Sequence, residues 1–102
     1  MSSTRLRTEW GRKPGLVFFH SNQSGRCRRV EGYLAQVLQR RHNHDTFRYY
    51  SVARETRPDL TAKFGIKEVP TLMVVENRAV AAKLESPRGC RDIERFLSAW
   101  LT

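Results

Sequence analysis

The chain has 102 residues, 39% of them apolar and 28% charged, a composition that suits one soluble globular domain with one core. Nineteen basic residues, fifteen of them arginine, against ten acidic ones give a net charge of +9, and residues 1–48 alone carry +7. The apolar runs are too short to cross a bilayer, and no apolar signal segment follows Met1, so we expect a cytoplasmic protein without membrane contact.

The first half of the sequence predicts a helix, a strand and a second helix. Residues 4–11 predict a short helix, and the continuous apolar run at residues 15–19 predicts a buried central strand. Residues 25–41 predict a long helix that Asn43 ends. Its apolar stripe, spaced i, i+3, i+4, i+7 and i+8, consists of Val30, Tyr33, Leu34, Val37 and Leu38.

The second half predicts an aromatic-rich strand at residues 46–53 and a short helix from Pro58 to Phe64, which Gly65 ends. Two strands at 71–75 and 79–84 follow, joined by a tight turn at 76–78. A C-terminal helix is indicated by the stripe Ile93, Phe96, Leu97, Trp100 and Leu101. The order α-β-α-β-α-β-β-α predicts one domain over residues 1–102, a three-layer α/β sandwich with a central mixed sheet flanked by helices.

The cysteines and histidines of the chain predict neither a disulfide framework nor a metal site. Cys27 and Cys90 are the two cysteines, and there is no C-x-x-C motif. His42 and His44 form an isolated H-x-H pair, whereas a structural zinc site generally needs four ligands. We therefore expect no metal and no cofactor.

Two segments of the chain resemble the thioredoxin family. Residues 63–72, K-F-G-I-K-E-V-P-T-L, resemble the segment around the cis-proline of that family, with Pro70 at the proline position. Residues 17–19 and 24–28, V-F-F and S-G-R-C-R, stand where the family has a strand and its C-G-P-C-K corner. The resemblance covers residues 5–101 and implies a thioredoxin fold that lacks the family's first strand, with a cis bond before Pro70.

This resemblance also shows which catalytic residues the chain lacks. The family's nucleophilic first cysteine falls at Ser24, so that only the resolving cysteine remains, as Cys27. The buried carboxylate that assists proton transfer falls at Phe18, and its lysine partner falls at Ser51. The tryptophan before the corner and the proline within it are replaced as well, by Gln23 and Arg26.

The chemistry of Ser24 and Cys27 also argues against dithiol catalysis. Thiol–disulfide exchange needs an accessible thiolate and a second thiol that resolves the mixed disulfide, and a serine hydroxyl can be neither. Ser24 is expected instead to cap the helix that follows it. Cys27 lies three residues before Val30 and extends the apolar stripe, so it should face the core; Cys90 should be partly buried. Nearby arginines would favour the thiolate of Cys27, whereas burial would oppose it.

A chain of this kind can still bind a polypeptide when the catalytic thiol is absent. The resemblance implies that an extended polypeptide pairs with the main chain of the residue before the cis-proline, here Val69. The leading hypothesis is a non-catalytic module that binds a protein or peptide at a corner formed by Gln23, Ser24, Gly25, Arg26, Cys27, Val69, Pro70 and Thr71.

Two other functions stay open from the sequence. One is a monothiol thiol–disulfide oxidoreductase, in which Cys27 is the catalytic candidate. The other is binding of nucleic acid or an acidic protein on the Arg-rich N-terminal half, although no RNA-binding motif accompanies the charge.

Overall fold

The structure, a computed structural model, describes residues 13–40 and 46–101. The helix predicted over residues 4–11 and the pair of His42 and His44 lie outside the described residues. The elements are strands β1 (Gly15–His20), β2 (Arg48–Ala53), β3 (Thr71–Glu76) and β4 (Ala79–Glu85), and helices α1 (Gly25–Arg40), α2 (Pro58–Lys63) and α3 (Cys90–Leu97).

The four strands form one mixed sheet in the order β2-β1-β3-β4. The β1 and β2 strands are parallel because α1 connects them, whereas β1 with β3 and β3 with β4 are antiparallel. Phe18, near the end of β1, lies opposite Ser51 of β2 and Leu72 of β3. The predicted mixed sheet is therefore confirmed.

Both faces of the sheet are covered, which gives the predicted three layers. On one face α1 and α3 pack over β1 and β3 and form the larger core, made of Leu16, Phe18, Cys27, Val30, Leu34, Val37, Phe47, Leu72, Val74, Ile93 and Leu97. On the other face Leu60 and Phe64 pack against the smaller core of Phe19, Val52 and Met73. Since successive residues of a strand point to opposite faces, Phe18 and Phe19 belong to different cores.

Two short turns follow the sequence prediction. Gly65 ends α2 with a φ of +64°, the left-handed conformation that glycine adopts without a steric penalty. The β3–β4 hairpin turns at Asn77 and Arg78, which both have positive φ, as the tight turn of a right-twisted hairpin requires.

The last helix is shorter than its apolar stripe predicts. It ends at Leu97, and the main chain then tightens, since the N–H of Ser98 donates to the carbonyl of Arg95 and the N–H of Trp100 to that of Leu97. The hydroxyl of Ser98 also donates to the Arg95 carbonyl at 2.9 Å and competes with the next helical bond. Trp100 and Leu101 still pack against the larger core, as the stripe predicts.

No helix within the described ranges combines the length and the apolar character that crossing a membrane requires.

Candidate binding corner

The end of β1 and the beginning of β3 bring the two predicted halves of the site to one edge of the sheet. Phe19 of β1 is paired with Thr71 of β3 in an antiparallel register. The loop that follows β1 and the Val69–Pro70 bond that precedes β3 therefore lie at the same edge. We call residues 23–27 together with residues 69–71 the corner.

Ser24 caps helix α1, as the sequence predicts. Its Oγ accepts a hydrogen bond from the main-chain N–H of Cys27 at 3.2 Å, the contact from N-cap to third helical residue that satisfies an otherwise unpaired donor. The hydroxyl at the position of the family's nucleophile is thus engaged in holding the start of the helix.

Cys27 faces the core, also as predicted. Its side chain is 2% exposed and packs in the larger core with Phe18 and Val30. Its Sγ accepts a hydrogen bond from the N–H of Ser21 at 3.3 Å. Cys27 and Cys90 are both free thiols, and Cys90 is half-buried.

The loop before the helix is held by an acidic residue that sequence reasoning missed. The Ser21 hydroxyl donates to Oε2 of Glu55, and the N–H of Asn22 donates to Oε1 at 3.2 Å. The bond from the Ser21 hydroxyl, followed by the one from Asn22, lowers the pKa of the Glu55 carboxyl. No local pattern could have revealed this contact, because its partners are 34 residues apart in the chain.

The other half of the corner is built around a cis peptide bond between Val69 and Pro70. The Pro70 carbonyl accepts from the N–H of Ser86 at 2.8 Å, and the Thr71 hydroxyl donates to the Glu68 carbonyl at 2.7 Å. Neither the N–H nor the C=O of Val69 is hydrogen-bonded to any of the residues that the structure describes. This main-chain pair is available for pairing with another chain.

The eight predicted site residues differ in how much surface they offer. Gln23, Gly25 and Arg26 are exposed, and Ser24 and Val69 are half-buried. The remaining three are buried and shape the corner from beneath rather than forming its surface: Cys27, Pro70 and Thr71.

A groove of about 660 Å³ extends from the corner along the first turns of α1. Arg26 and Arg29 line it on one side, and Glu68 lines it from the loop before the cis bond. Its remaining lining residues lie farther along, on α1, on β4 and around the start of α3: Val30, Tyr33, Leu84, Glu85, Ser86, Pro87, Arg88 and Asp92. Sequence reasoning missed Glu68, although its place directly before Val69 was a usable signal.

The positions of the family's proton-transfer pair hold a different arrangement. Phe18 is buried, and its ring stacks on that of His20 at a centroid distance of 5.2 Å. The Oγ of Ser51 is hydrogen-bonded to Nε2 of His20 at 2.8 Å. Both His20 and Cys27 line a small cavity of about 340 Å³.

Within the described part of the chain, no three histidine, cysteine or acidic side chains come close enough together to hold a metal ion.

Comparison with known proteins agrees with this fold. The sequence matches the family model described as Thioredoxin over residues 6–99. The solution structure of reduced desulfothioredoxin from Desulfovibrio vulgaris Hildenborough is 27% identical, with a TM-score of 0.74 over 87% of this chain and 83% of that one. Two structures of lower identity share the fold. Trxlp from Edwardsiella tarda EIB202 is 18% identical, with a TM-score of 0.76 over 95% of this chain and 93% of its own. Mitochondrial thioredoxin 3 from Saccharomyces cerevisiae is 15% identical, with a TM-score of 0.64 over 91% and 83%.

Proposed function

The chain belongs to the thioredoxin family, and we propose that it is a non-catalytic member that binds an extended peptide at the corner. The observation that carries the proposal is the burial of the corner's thiol. The Cys27 side chain is 2% exposed, and it lies behind a serine whose hydroxyl caps helix α1.

Dithiol chemistry requires two sulfur atoms in sequence, one that attacks and one that resolves the mixed disulfide. Ser24 supplies an oxygen at the first position, and a hydroxyl forms no mixed disulfide. The buried carboxylate that would move a proton at this site is replaced by Phe18. The corner therefore lacks both the first thiol and the family's proton-transfer group.

Peptide binding requires none of these groups. The N–H and C=O of Val69 can each form a hydrogen bond with an extended chain, as one rung of a β-ladder. Gln23, Gly25 and Arg26 are exposed on the opposite wall. Recognition through the main chain supplies affinity, and the surrounding side chains select the sequence.

The charges that line the groove favour a partner segment with both acidic and basic residues over a purely acidic one. Three arginines and three carboxylates line it, so that their charges balance despite the net charge of the chain: Arg26, Arg29, Arg88, Glu68, Glu85 and Asp92. A partner bound there gains by matching charges of both signs along its length.

A monothiol oxidoreductase that uses Cys27 is the second candidate. The His20 imidazole lines the same cavity as Cys27, and an imidazole is a common general base for a cysteine nucleophile. The N–H of Ser21 donates to the sulfur at 3.3 Å. Access to the sulfur separates the two candidates, because attack on a disulfide requires an exposed thiol.

The first experiment measures reduction of insulin disulfides with dithiothreitol as electron donor. We expect no measurable turnover for the wild type and low turnover for Ser24→Cys, because that variant restores the first thiol but not the carboxylate replaced by Phe18. Wild-type turnover comparable to that of a dithiol thioredoxin would contradict the proposal.

The second experiment measures binding of cysteine-free peptides selected from a displayed library on the wild-type protein. Gly25→Tyr places a bulky side chain on the corner, and the space around Gly25 is open, so the fold should tolerate it. Gly32→Tyr is the matched control, since Gly32 lies in the same helix with open space around it.

We expect Gly25→Tyr to weaken peptide binding at least tenfold, and Gly32→Tyr and Cys27→Ala to change it less than twofold. If the peptides bind Gly25→Tyr as tightly as the wild type, the binding surface lies elsewhere and the corner is not the binding site.

A further inference from the structure

The loop between β1 and α1 lies against the Cys27 thiol, and we call its residues 21–23 the lid. Ser21 is 5% exposed, and its N–H donates to the Cys27 Sγ at 3.3 Å. Ser21 and Asn22 also line the cavity of about 340 Å³ that Cys27 borders. Movement of the lid would therefore change the access of a reactant to the sulfur.

Most hydrogen bonds of the lid are local. The Ser21 hydroxyl accepts from the N–H of Gln23 at 3.2 Å, and the Ser21 carbonyl accepts from the N–H of Ser24 at 3.3 Å. These bonds shape the lid but join it only to itself and to the start of α1. Among the described residues, Glu55 is the one hydrogen-bond partner of the lid that lies elsewhere in the chain.

Glu55 reaches the lid from a turn that the main chain fixes to the end of β2. The Ala53 carbonyl accepts from the N–H of Thr56 at 3.1 Å and from that of Arg57 at 2.9 Å. From this turn the Glu55 carboxylate accepts two hydrogen bonds from the lid, one from a hydroxyl and one from a main-chain N–H. Hydrogen bonds to an ionised carboxylate are stronger than those between neutral groups.

We propose that Glu55 is a positioning residue that holds the lid closed over the Cys27 thiol, so that loss of its contacts makes the thiol accessible in the folded protein. The carboxylate acts through Ser21, whose hydroxyl donates to it and whose N–H donates to Sγ. Opening a loop requires less free energy than unfolding the domain, and this cost falls when bonds to a charged group are removed. The inference concerns access to the sulfur and does not depend on peptide binding at the corner.

The state of the lid bears on which of the two candidate functions the chain can perform. With the lid closed, the sulfur is enclosed and the corner is limited to binding. With the lid open, the Cys27 thiolate can attack a disulfide, which forms a mixed disulfide and releases the second sulfur as a thiolate. Glu55 thus controls whether the thiol can take part in exchange.

The test is the rate of iodoacetamide alkylation at Cys27, at pH 8 without urea, in the wild type and two variants. Glu55→Gln keeps the side-chain length but replaces one acceptor oxygen by an amide group that cannot accept. Asp59→Asn is the matched control, because it also removes an exposed carboxylate, one that is paired with Arg57 and has no contact with the lid.

We expect Cys27 to be labelled at least tenfold faster in Glu55→Gln than in the wild type, and less than twofold faster in Asp59→Asn. Cys90, on α3, should be labelled at the same rate in all three proteins. Equal rates at Cys27 in the two variants, or a parallel increase at Cys90, would overturn the proposal.

The dependence on urea separates opening of the lid from a general loss of stability. Because a small loop exposes little surface when it opens, labelling of Cys27 in Glu55→Gln should be nearly independent of urea below the unfolding transition. A labelling rate that rises with urea as steeply as global unfolding does would contradict a lid that opens alone.

Hydrogen exchange of the wild type covers the case in which Glu55→Gln does not fold. The Ser21 and Asn22 amides should exchange at rates that are nearly independent of urea, whereas the Leu34 and Val37 amides, within α1, should exchange through openings that urea promotes. The same urea dependence at Ser21 as at Leu34 would refute the lid as a separate opening unit.

Discussion

Helices α1 and α3 pack on the same face of the sheet, and each has a cysteine in its first turn. Cys27 is enclosed by the core, and its Sγ accepts the N–H of Ser21. Cys90 is half-buried, and its Sγ donates to the side-chain oxygen of Gln36 at 3.2 Å. Cys27 is thus a hydrogen-bond acceptor within the core, whereas Cys90 is a hydrogen-bond donor near the surface.

The two helix starts show that the same position in a helix can leave one thiol enclosed and another partly accessible. Both sulfurs lie in the first turn of a helix, but the Cys27 side chain is 2% exposed whereas Cys90 is half-buried. Burial in apolar surroundings denies a reactant access to the sulfur. We therefore expect the surroundings of Cys27, rather than its place in the helix, to set its reactivity.

The largest expected effect comes from replacing each cysteine by serine in a separate variant. Cys27→Ser buries a hydroxyl proton in an apolar core and should lower the free energy of unfolding by about 1–3 kcal/mol. Cys90→Ser keeps a donor for the Gln36 oxygen and should change it by less than about 0.5 kcal/mol. Urea unfolding followed by circular dichroism measures both. Equal losses would remove the contrast between the two sites.

A smaller effect on stability is expected from the side chains that accept main-chain N–H bonds at the starts of α1 and α3. Ser24→Ala removes the partly buried bond to the N–H of Cys27 and should cost about 1 kcal/mol. At α3, whose N-cap is Gly89, Asp92→Ala removes an exposed bond from the N–H of Arg88 to a side chain of the first turn and should cost about half as much. The same unfolding experiment compares the two variants. A larger loss of unfolding free energy for Asp92→Ala than for Ser24→Ala would contradict the stabilising role that we assign to the Ser24 cap.

The smallest effect is a dependence of stability on pH that arises at Glu55, beside the loop that follows β1. Because the Ser21 hydroxyl and the Asn22 N–H lower the pKa of Glu55 in the folded protein, the ionised group stabilises the fold above its unfolded pKa of about 4.3. This stabilisation is lost as the pH falls through the lower folded value. The stability difference between wild type and Glu55→Gln should therefore be largest at pH 7 and shrink towards pH 3. A difference that is constant from pH 7 to pH 3 would contradict the contact.

Local patterns predicted most of the fold. The stripe from Val30 to Leu38 gave α1, and the Val69-Pro70-Thr71 segment gave the resemblance that the family match confirms. Both are signals of short range, carried by side-chain periodicity or by one motif. The cap at Ser24 and the burial of Cys27 followed from the same helical spacing.

The rest of the site depends on contacts that no local pattern encodes. The Glu55 carboxylate reaches the loop of Ser21 only because parallel pairing brings the end of β2 beside the end of β1. The bond between His20 and Ser51 arises from the same pairing. The aromatic-rich pattern of β2 predicted a strand but not its exposure, since Tyr49 and Tyr50 have high strand propensity on either an inner or an outer strand.

The most direct test of the central claim is the rate of iodoacetamide alkylation at Cys27 in the folded protein from pH 5 to pH 9. Mass spectrometry follows Cys27, with Cys90 as the comparison within the same molecule. We expect slow labelling of Cys27 at every pH at which the protein is folded, faster labelling of Cys90, and rapid labelling of Cys27 only when urea unfolds the chain. Fast labelling of Cys27 near pH 6 in the folded protein would contradict the account and favour the monothiol enzyme.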